Sequence, residues 1–162
     1  MIDVYVGLGS NIEPADNLRR AIDTLGGHFG GLRCSSVYES PPYGFSGDDF
    51  LNLVTVFSTT LAVETIEEIL SSIEHAGGRQ RHGRSGPRTL DLDLLLYGMR
   101  VNPDQRLPRD DILRYPFVLA PLAELAPDLT HPVTACAIGA AWQRMAVEQP
   151  ALRCLGKLEQ LD

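Results

Sequence analysis

The sequence predicts an α+β fold, an α/β sandwich built on a ferredoxin-like β-α-β-β-α-β core, with two helices packed on one face of an antiparallel sheet. Three observations carry that expectation. Stretches of period-two and period-3.6 hydrophobicity alternate in this order along the first hundred residues. Glycine or proline pairs punctuate the stretches at Gly26-Gly27, Pro41-Pro42 and Gly77-Gly78. The 162 residues are 44% hydrophobic and 22% charged, enough for one packed core, so residues 1–162 are read as a single domain.

Ile2 to Leu8 alternates β-branched and aromatic residues before the tight-turn triplet Gly9-Ser10-Asn11, which predicts a first strand. Pro14 suits a first helical turn, and Leu18, Ala21, Ile22 and Leu25 follow at helical spacing until Gly26-Gly27. A second strand is expected over Leu32 to Glu39, and a third over Phe50 to Thr59, rich in Val, Thr and Phe. Ile66, Ile69, Leu70 and Ile73 mark a second amphipathic helix. Leu90 to Tyr97 predicts a further strand closed by Gly98. The stretch from Gly98 to Tyr115 is rich in Pro and Asp and reads as loop, followed by a short helix at Phe117 to Leu125 and a longer one at Thr134 to Val147.

Composition excludes several functions. A net charge of -7 argues against nucleic-acid binding, which needs a basic surface to replace counterions. Three cysteines (Cys34, Cys136, Cys154) and four histidines (His28, His75, His82, His131) are scattered without metal-ligand spacing, so a zinc site or disulfide framework is not expected. The apolar stretch at the N-terminus is too short to span a membrane and lacks a preceding basic residue. The expected setting is the cytoplasm and the expected state a monomer.

The chemistry concentrates in GPRTLDLD, residues 86–93. Residues two apart in a strand share a face, so Asp91 and Asp93 stand side by side, roughly 6.5–7 Å apart at Cα. That spread suits two magnesium ions about 3.5–4 Å apart. Alternation alone points sooner to the wet face of a half-buried strand, with Leu90, Leu92 and Leu94 inward. As an exposed strand residue, Asp93 is expected to contribute little to stability. The residues just upstream favour the metal: Arg79, Arg81, Arg84 and Arg88 put four arginines in ten residues of an acidic chain. Guanidinium groups beside a carboxylate pair suit a metal-bound triphosphate. The glycines among them (Gly77, Gly78, Gly83, Gly86) suit a loop that closes over it.

At this point the chain resembles the 6-hydroxymethyl-7,8-dihydropterin pyrophosphokinase family of folate biosynthesis. The matching pieces are Gly9-Ser10-Asn11, Ser40-Pro41-Pro42-Tyr43-Gly44, Phe50-Leu51-Asn52, Ile73-Glu74 to Arg79, GPRTLDLDLLLYG at 86–98, and Pro116-Phe117-Val118-Leu119-Ala120-Pro121-Leu122. They keep the family's order across essentially the whole chain. The long GPRTLDLD match is highly specific, whereas Gly9-Ser10-Asn11 alone is explained by a turn.

The resemblance implies an activity: diphosphate passes from ATP, a co-substrate, to the hydroxymethyl group of the pterin, and AMP leaves. It implies Asp91 and Asp93 as ligands of two Mg2+ ions, and Arg79 and Arg88 as the catalytic arginines on the phosphates. Glu74, Arg81, Arg84, Leu94, Arg106 and Arg109 fall at or near its ATP-binding positions. Ser40, Pro41, Pro42, Tyr43, Phe50, Asn52 and Phe117 match its pterin pocket, where two aromatics sandwich a flat bicycle and Asn52 reads its amide-like edge. From the residues alone, Phe50 and Phe117 are sooner plain core aromatics, Asn52 a strand-edge residue bonded to backbone, and Pro41-Pro42 a loop stiffener.

The chain also departs from the family. Ser85 stands where some members carry Trp, in an arginine-rich loop about one residue shorter than usual. Arg109 stands where a His is frequent, and Tyr115-Pro116 where many carry an Arg, with Arg114 one position away. These departures motivate a second reading, a paralogue that binds pterin or regulates with little or no kinase activity. A third, an RNA-binding ferredoxin-like domain, is opposed by the acidic charge and the lack of an aromatic-rich strand signature.

Overall fold

A computed structural model of the chain describes residues 1–77, 90–149 and 152–162. The chain runs β1 (Ile2–Ser10), α1 (Pro14–Phe29), β2 (Arg33–Cys34), β3 (Val37–Ser40), β4 (Phe50–Thr59), α2 (Val63–Ala76), β5 (Asp91–Tyr97), α3 (Asp111–Arg114), α4 (Pro116–Leu125), α5 (Ile138–Ala146) and β6 (Arg153–Gly156), with short 3-10 turns at 103–105 and 158–160. The sheet order is β5-β1-β4-β3-β6, and every strand pairing among the described residues is antiparallel. Its first four strands are the ferredoxin-like order expected for β-α-β-β-α-β connectivity.

Both faces of the sheet are covered. Val4, Val6 and Leu8 of β1, with Leu92 and Leu94 of β5, pack against Leu18 and Leu25 of α1 and Ile66 and Leu70 of α2. Burying each such side chain is worth about 1.5–3 kcal/mol. Tyr5, Val54, Val56, Leu95 and Leu96 face the other way, against Ile112 of α3, Leu119 and Leu122 of α4 and Ile138 of α5. The two helices foreseen on one face are α1 and α2. The opposite layer was legible as helices but not as a cover for the sheet.

Several boundaries differ from expectation for identifiable reasons. The strand expected over 32–39 divides into β2 and β3, because Ser35 supplies its own hydroxyl to the ladder: Ser35 Oγ accepts from Val54 N–H at 3.0 Å. Helix α1 passes through Gly26-Gly27 to Phe29, which stacks on Phe57 at 3.9 Å between centroids. It ends at Gly30, whose positive φ permits the stop and whose N–H reaches Gly26 O. Helix α5 begins at Ile138 rather than Thr134, since Val133 and Thr134 N–H groups are bonded to His131 Nδ1. Strand β6 adds to the free edge of β3 and was not foreseen; its four residues lack an alternating pattern.

One irregularity matters for function. Tyr5 pairs with Leu96 but Val6 with Leu94, so β5 bulges at Leu95. The bulge sends Leu95 and Leu96 to the same face as Tyr5. Leu95 O there accepts the backbone N–H of Arg109 at 3.0 Å.

Candidate active site

The site begins with a register. Gly9 of β1 lies between Asn52 on β4 and Asp91 on β5, and Gly7 lies between Val54 and Asp93. Side chains of Asn52, Asp91 and Asp93 rise on one face, and the two glycines between them contribute only backbone. A Cβ on Gly9 would stand 2.9 Å from Asn52 Oδ1, so glycine is what lets that amide lie across the central strand. Above this floor opens a cavity of about 880 Å3.

One wall of the cavity is polar and recognises shape. Asn52 Nδ2 donates to Ser40 Oγ at 3.0 Å, with both side chains buried. That bond fixes the amide and turns its carbonyl over Gly9. Phe50 enters from the same strand and meets Phe45 edge-on at 6.1 Å. Opposite stand Tyr115 and Phe117, stacked at 5.0 Å with their planes 19° apart, and Tyr43 packs against both. Pro116 at the first turn of α4 pre-sets the helix start that carries these two rings. Phe50 and Phe117 both line the cavity, and among the described aromatics these two rings are not in contact with each other. The loop holding Tyr43 and Phe45 is tied to the end of β1 by Asn11 Nδ2, which donates to Asp48 O at 3.2 Å.

The other wall is charged. Asp91 and Asp93 line it, as strand alternation required, with Asp111, Arg106, Arg109 and Arg114. Arg109 Nη2 lies 3.2 Å from Asp93 Oδ1, and its Nε lies 3.3 Å from Asp111 Oδ2. Asp93 is not an exposed strand residue: its side chain keeps 29% of its exposure. Burial and then the charge of Asp91 push its carboxyl up to about 7, with Asp111 and Glu74 adding to the rise and Arg109 opposing it.

The remaining expected residues fall elsewhere. Glu74 is buried beside the outer edge of β5, where a carboxylate oxygen accepts Leu92 N–H at 2.9 Å. Leu94 packs among the α1 and α2 side chains, so its side chain faces away from Asp93. Pro42 is not among the cavity walls, although Ser40, Pro41 and Tyr43 are. Arg79, Arg81, Arg84 and Arg88 lie outside the described residues. Sequence reasoning passed over Gly7, Phe45 and Asp111. The repeated V-G-L-G at period two was the available signal for Gly7; nothing marked Asp111 within a segment read as loop.

A sequence model of the 7,8-dihydro-6-hydroxymethylpterin-pyrophosphokinase (HPPK) family matches residues 5–127. The chain belongs to this family. Curated relatives named 2-amino-4-hydroxy-6-hydroxymethyldihydropteridine pyrophosphokinase share its sequence widely. The one from Synechocystis sp. is 43% identical over 133 residues, spanning 78% of this chain and 68% of that protein. That of Methylorubrum extorquens is 41% identical over 136 residues, 80% of this chain and 85% of the relative. That of Bacillus subtilis is 36% identical, over 80% and 81% respectively. Among solved structures, wild-type Plasmodium falciparum HPPK-DHPS superposes with a TM-score of 0.69 over 90% of this chain. The chain spans only 45% of that protein's length, and at 12% identity the likeness shows a shared fold. The HPPK match includes both cavity walls and stops at residue 127, so α5 and β6 lie beyond it.

Proposed function

We propose that this chain transfers diphosphate from ATP to the hydroxymethyl oxygen of 6-hydroxymethyl-7,8-dihydropterin, releasing AMP, as one cytoplasmic domain acting as a monomer in folate biosynthesis. One observation carries the reading. The Asn52–Gly9–Asp91 and Val54–Gly7–Asp93 rows put a reader of an amide-like edge and a carboxylate pair at opposite sides of one glycine floor. A flat bicycle with an exocyclic alcohol, extended by a polyphosphate, is a molecule of that length and polarity.

The pterin lies between Phe50 and Phe117, its amide-like edge against the Asn52 amide held by Ser40. Its hydroxymethyl oxygen then points toward Asp91 and Asp93. That oxygen bonds to the β-phosphorus and gives up its proton to solvent as the bridge between the α- and β-phosphates breaks, and AMP carries the displaced electron pair away. Arg106, Arg109 and Arg114 supply positive charge to the phosphates from the α3 side, and Arg79 and Arg88 are assigned to the same task, with Arg81 and Arg84 on the nucleotide. Its base runs along the open edge of β5, where Glu74 and the Leu94 backbone lie. No dedicated base emerges among the cavity side chains, so orientation and charge stabilisation supply most of the rate.

Divalent metal fits the donor set. Two carboxylates on one face, one of them driven toward neutrality by burial and then by the other's charge, form a site short of positive charge. Asp91 and Asp93 would hold magnesium, two ions in this reading, each shell completed by water and phosphate oxygens. When bound, magnesium offsets charge on the transferring phosphoryl group. The test is direct: protein supplied with the pterin alcohol and MgATP should produce AMP and the pterin diphosphate in equal amounts. ATP hydrolysis without pterin consumption, or no AMP from folded protein, rejects the activity.

A further inference from the structure

The carboxylate wall already contains a cation of its own. Among the described residues Arg109 is the only cation paired with the cavity carboxylates, touching Asp93 through Nη2 and Asp111 through Nε. Its side chain is only 17% exposed. The contact is made to Asp93 Oδ1, an oxygen of the pair assigned above to magnesium. A guanidinium 3.2 Å from that oxygen and a divalent ion bound to it would be like charges in contact, in a site half removed from water.

The attachment is hinged. The Arg109 backbone N–H is bonded to Leu95 O at the β5 bulge, and Nε is bonded to Asp111 at the start of α3. Both holds lie at the base of the side chain or midway along the guanidinium. The end that reaches Asp93 is held there by that one ion pair, in the wall of the cavity. A polyphosphate entering that cavity offers the same Nη atoms anionic oxygens in exchange for Asp93 Oδ1.

We propose that Arg109 is a displaceable counter-cation that occupies the carboxylate site until nucleotide arrives, so that metal alone binds poorly and metal with nucleotide binds well. This rests on the reading of Asp91 and Asp93 as the metal site. The coupling has a stated physical origin: the nucleotide releases the site by giving Arg109 another partner. Binding energy from phosphate is thereby linked to metal loading. Seated there, Arg109 also screens Asp93 from stray divalent ions.

The test measures Mn2+ bound by nucleotide-free protein, read from the electron paramagnetic resonance signal of free Mn2+, for wild type, Arg109→Gln and Arg109→Lys. Removing the charge in Arg109→Gln should tighten nucleotide-free Mn2+ binding about tenfold. Arg109→Lys, which keeps the charge, should stay within about threefold of wild type. A parallel titration includes α,β-methylene-ATP. If wild type recruits Mn2+ with this analogue but Arg109→Gln binds no more Mn2+ than wild type without it, the counter-cation role is overturned while the metal site stands. If neither protein binds Mn2+ even with the analogue, the metal site itself falls, and the proposal with it. A second measurement needs no variant: in wild-type protein, saturating Mg2+ without nucleotide should shift the 13Cζ resonance of Arg109. An unmoved resonance overturns the proposal.

Discussion

Replacing Asp93 by asparagine should stabilise the metal-free protein at alkaline pH while removing its activity. The carboxyl is raised from 3.8 to about 7, chiefly by burial and then by Asp91. A group whose pKa is higher folded than unfolded stabilises the fold when protonated, and that contribution is lost as pH rises through the folded value. Wild-type protein therefore loses stability at this position between about pH 4 and pH 7. At ~1.4 kcal/mol per tenfold, the ceiling on the loss is ~4 kcal/mol. Partial exposure and the coupling to Asp91 reduce it to ~1–2 kcal/mol. Asparagine keeps the shape without the charge and avoids that loss. For a chain of this size the gain corresponds to a melting temperature about 3–6 °C higher at pH 8.5, shrinking toward zero near pH 4.5. Scanning calorimetry in chelator at both pH values is the assay. A variant no more stable than wild type at pH 8.5, or one equally stabilised at both pH values, refutes the argument that the Asp93 charge costs the metal-free protein stability despite its Arg109 partner.

The same raised pKa predicts that the half-saturating magnesium concentration for turnover climbs about tenfold between pH 8 and pH 6, because protons and metal compete for Asp93; a flat magnesium requirement across that range contradicts it. Gly9→Ala should raise KM for the pterin at least tenfold, since its Cβ would stand 2.9 Å from Asn52 Oδ1, with stability changed by no more than ~1 kcal/mol. An unchanged KM in steady-state assays would show that the Asn52 amide does not need that space. Ser40→Ala removes the buried hydroxyl that holds Asn52 and should cost ~1 kcal/mol in denaturant unfolding together with a weaker pterin KM. Leu18→Ala, deep in the helix-side core, should instead lower stability by ~2–5 kcal/mol with kcat/KM per folded molecule unaltered.

The sequence showed most clearly what depends on local period. Alternation alone put Asp91 and Asp93 on one face and Leu92 and Leu94 on the other, and the structure has that arrangement. Strand β4 was readable to its last residue because its Val, Thr and Phe run had clear ends. What escaped depends on partners distant in sequence. Ser35 interrupts a strand only because Val54 stands opposite to donate its N–H to the Ser35 hydroxyl oxygen. Asp93 read as exposed because nothing near it in the chain discloses Arg109 and Asp111, which return from a proline-rich segment beyond the strand. Arg109 itself drew notice as an ATP-binding position and as a departure, standing where the family that the chain resembles frequently has a His, but not as a partner of Asp93. Its bond to the Leu95 carbonyl could not be read without knowing that β5 bulges there.

The paired glycines of β1 have a consequence for selectivity. Neither lies bare: the Leu95 side chain covers Gly7 and the Asn52 amide covers Gly9. The amide is tied to Ser40, so it cannot swing aside for a bulkier guest without breaking a buried hydrogen bond. Substituents on the ligand edge that faces Asn52 should therefore be rejected abruptly, whereas groups pointing toward Tyr43, which is 48% exposed, should meet gradual resistance. An inhibitor series would register that difference as a cliff at one edge of the heterocycle and a slope at the other.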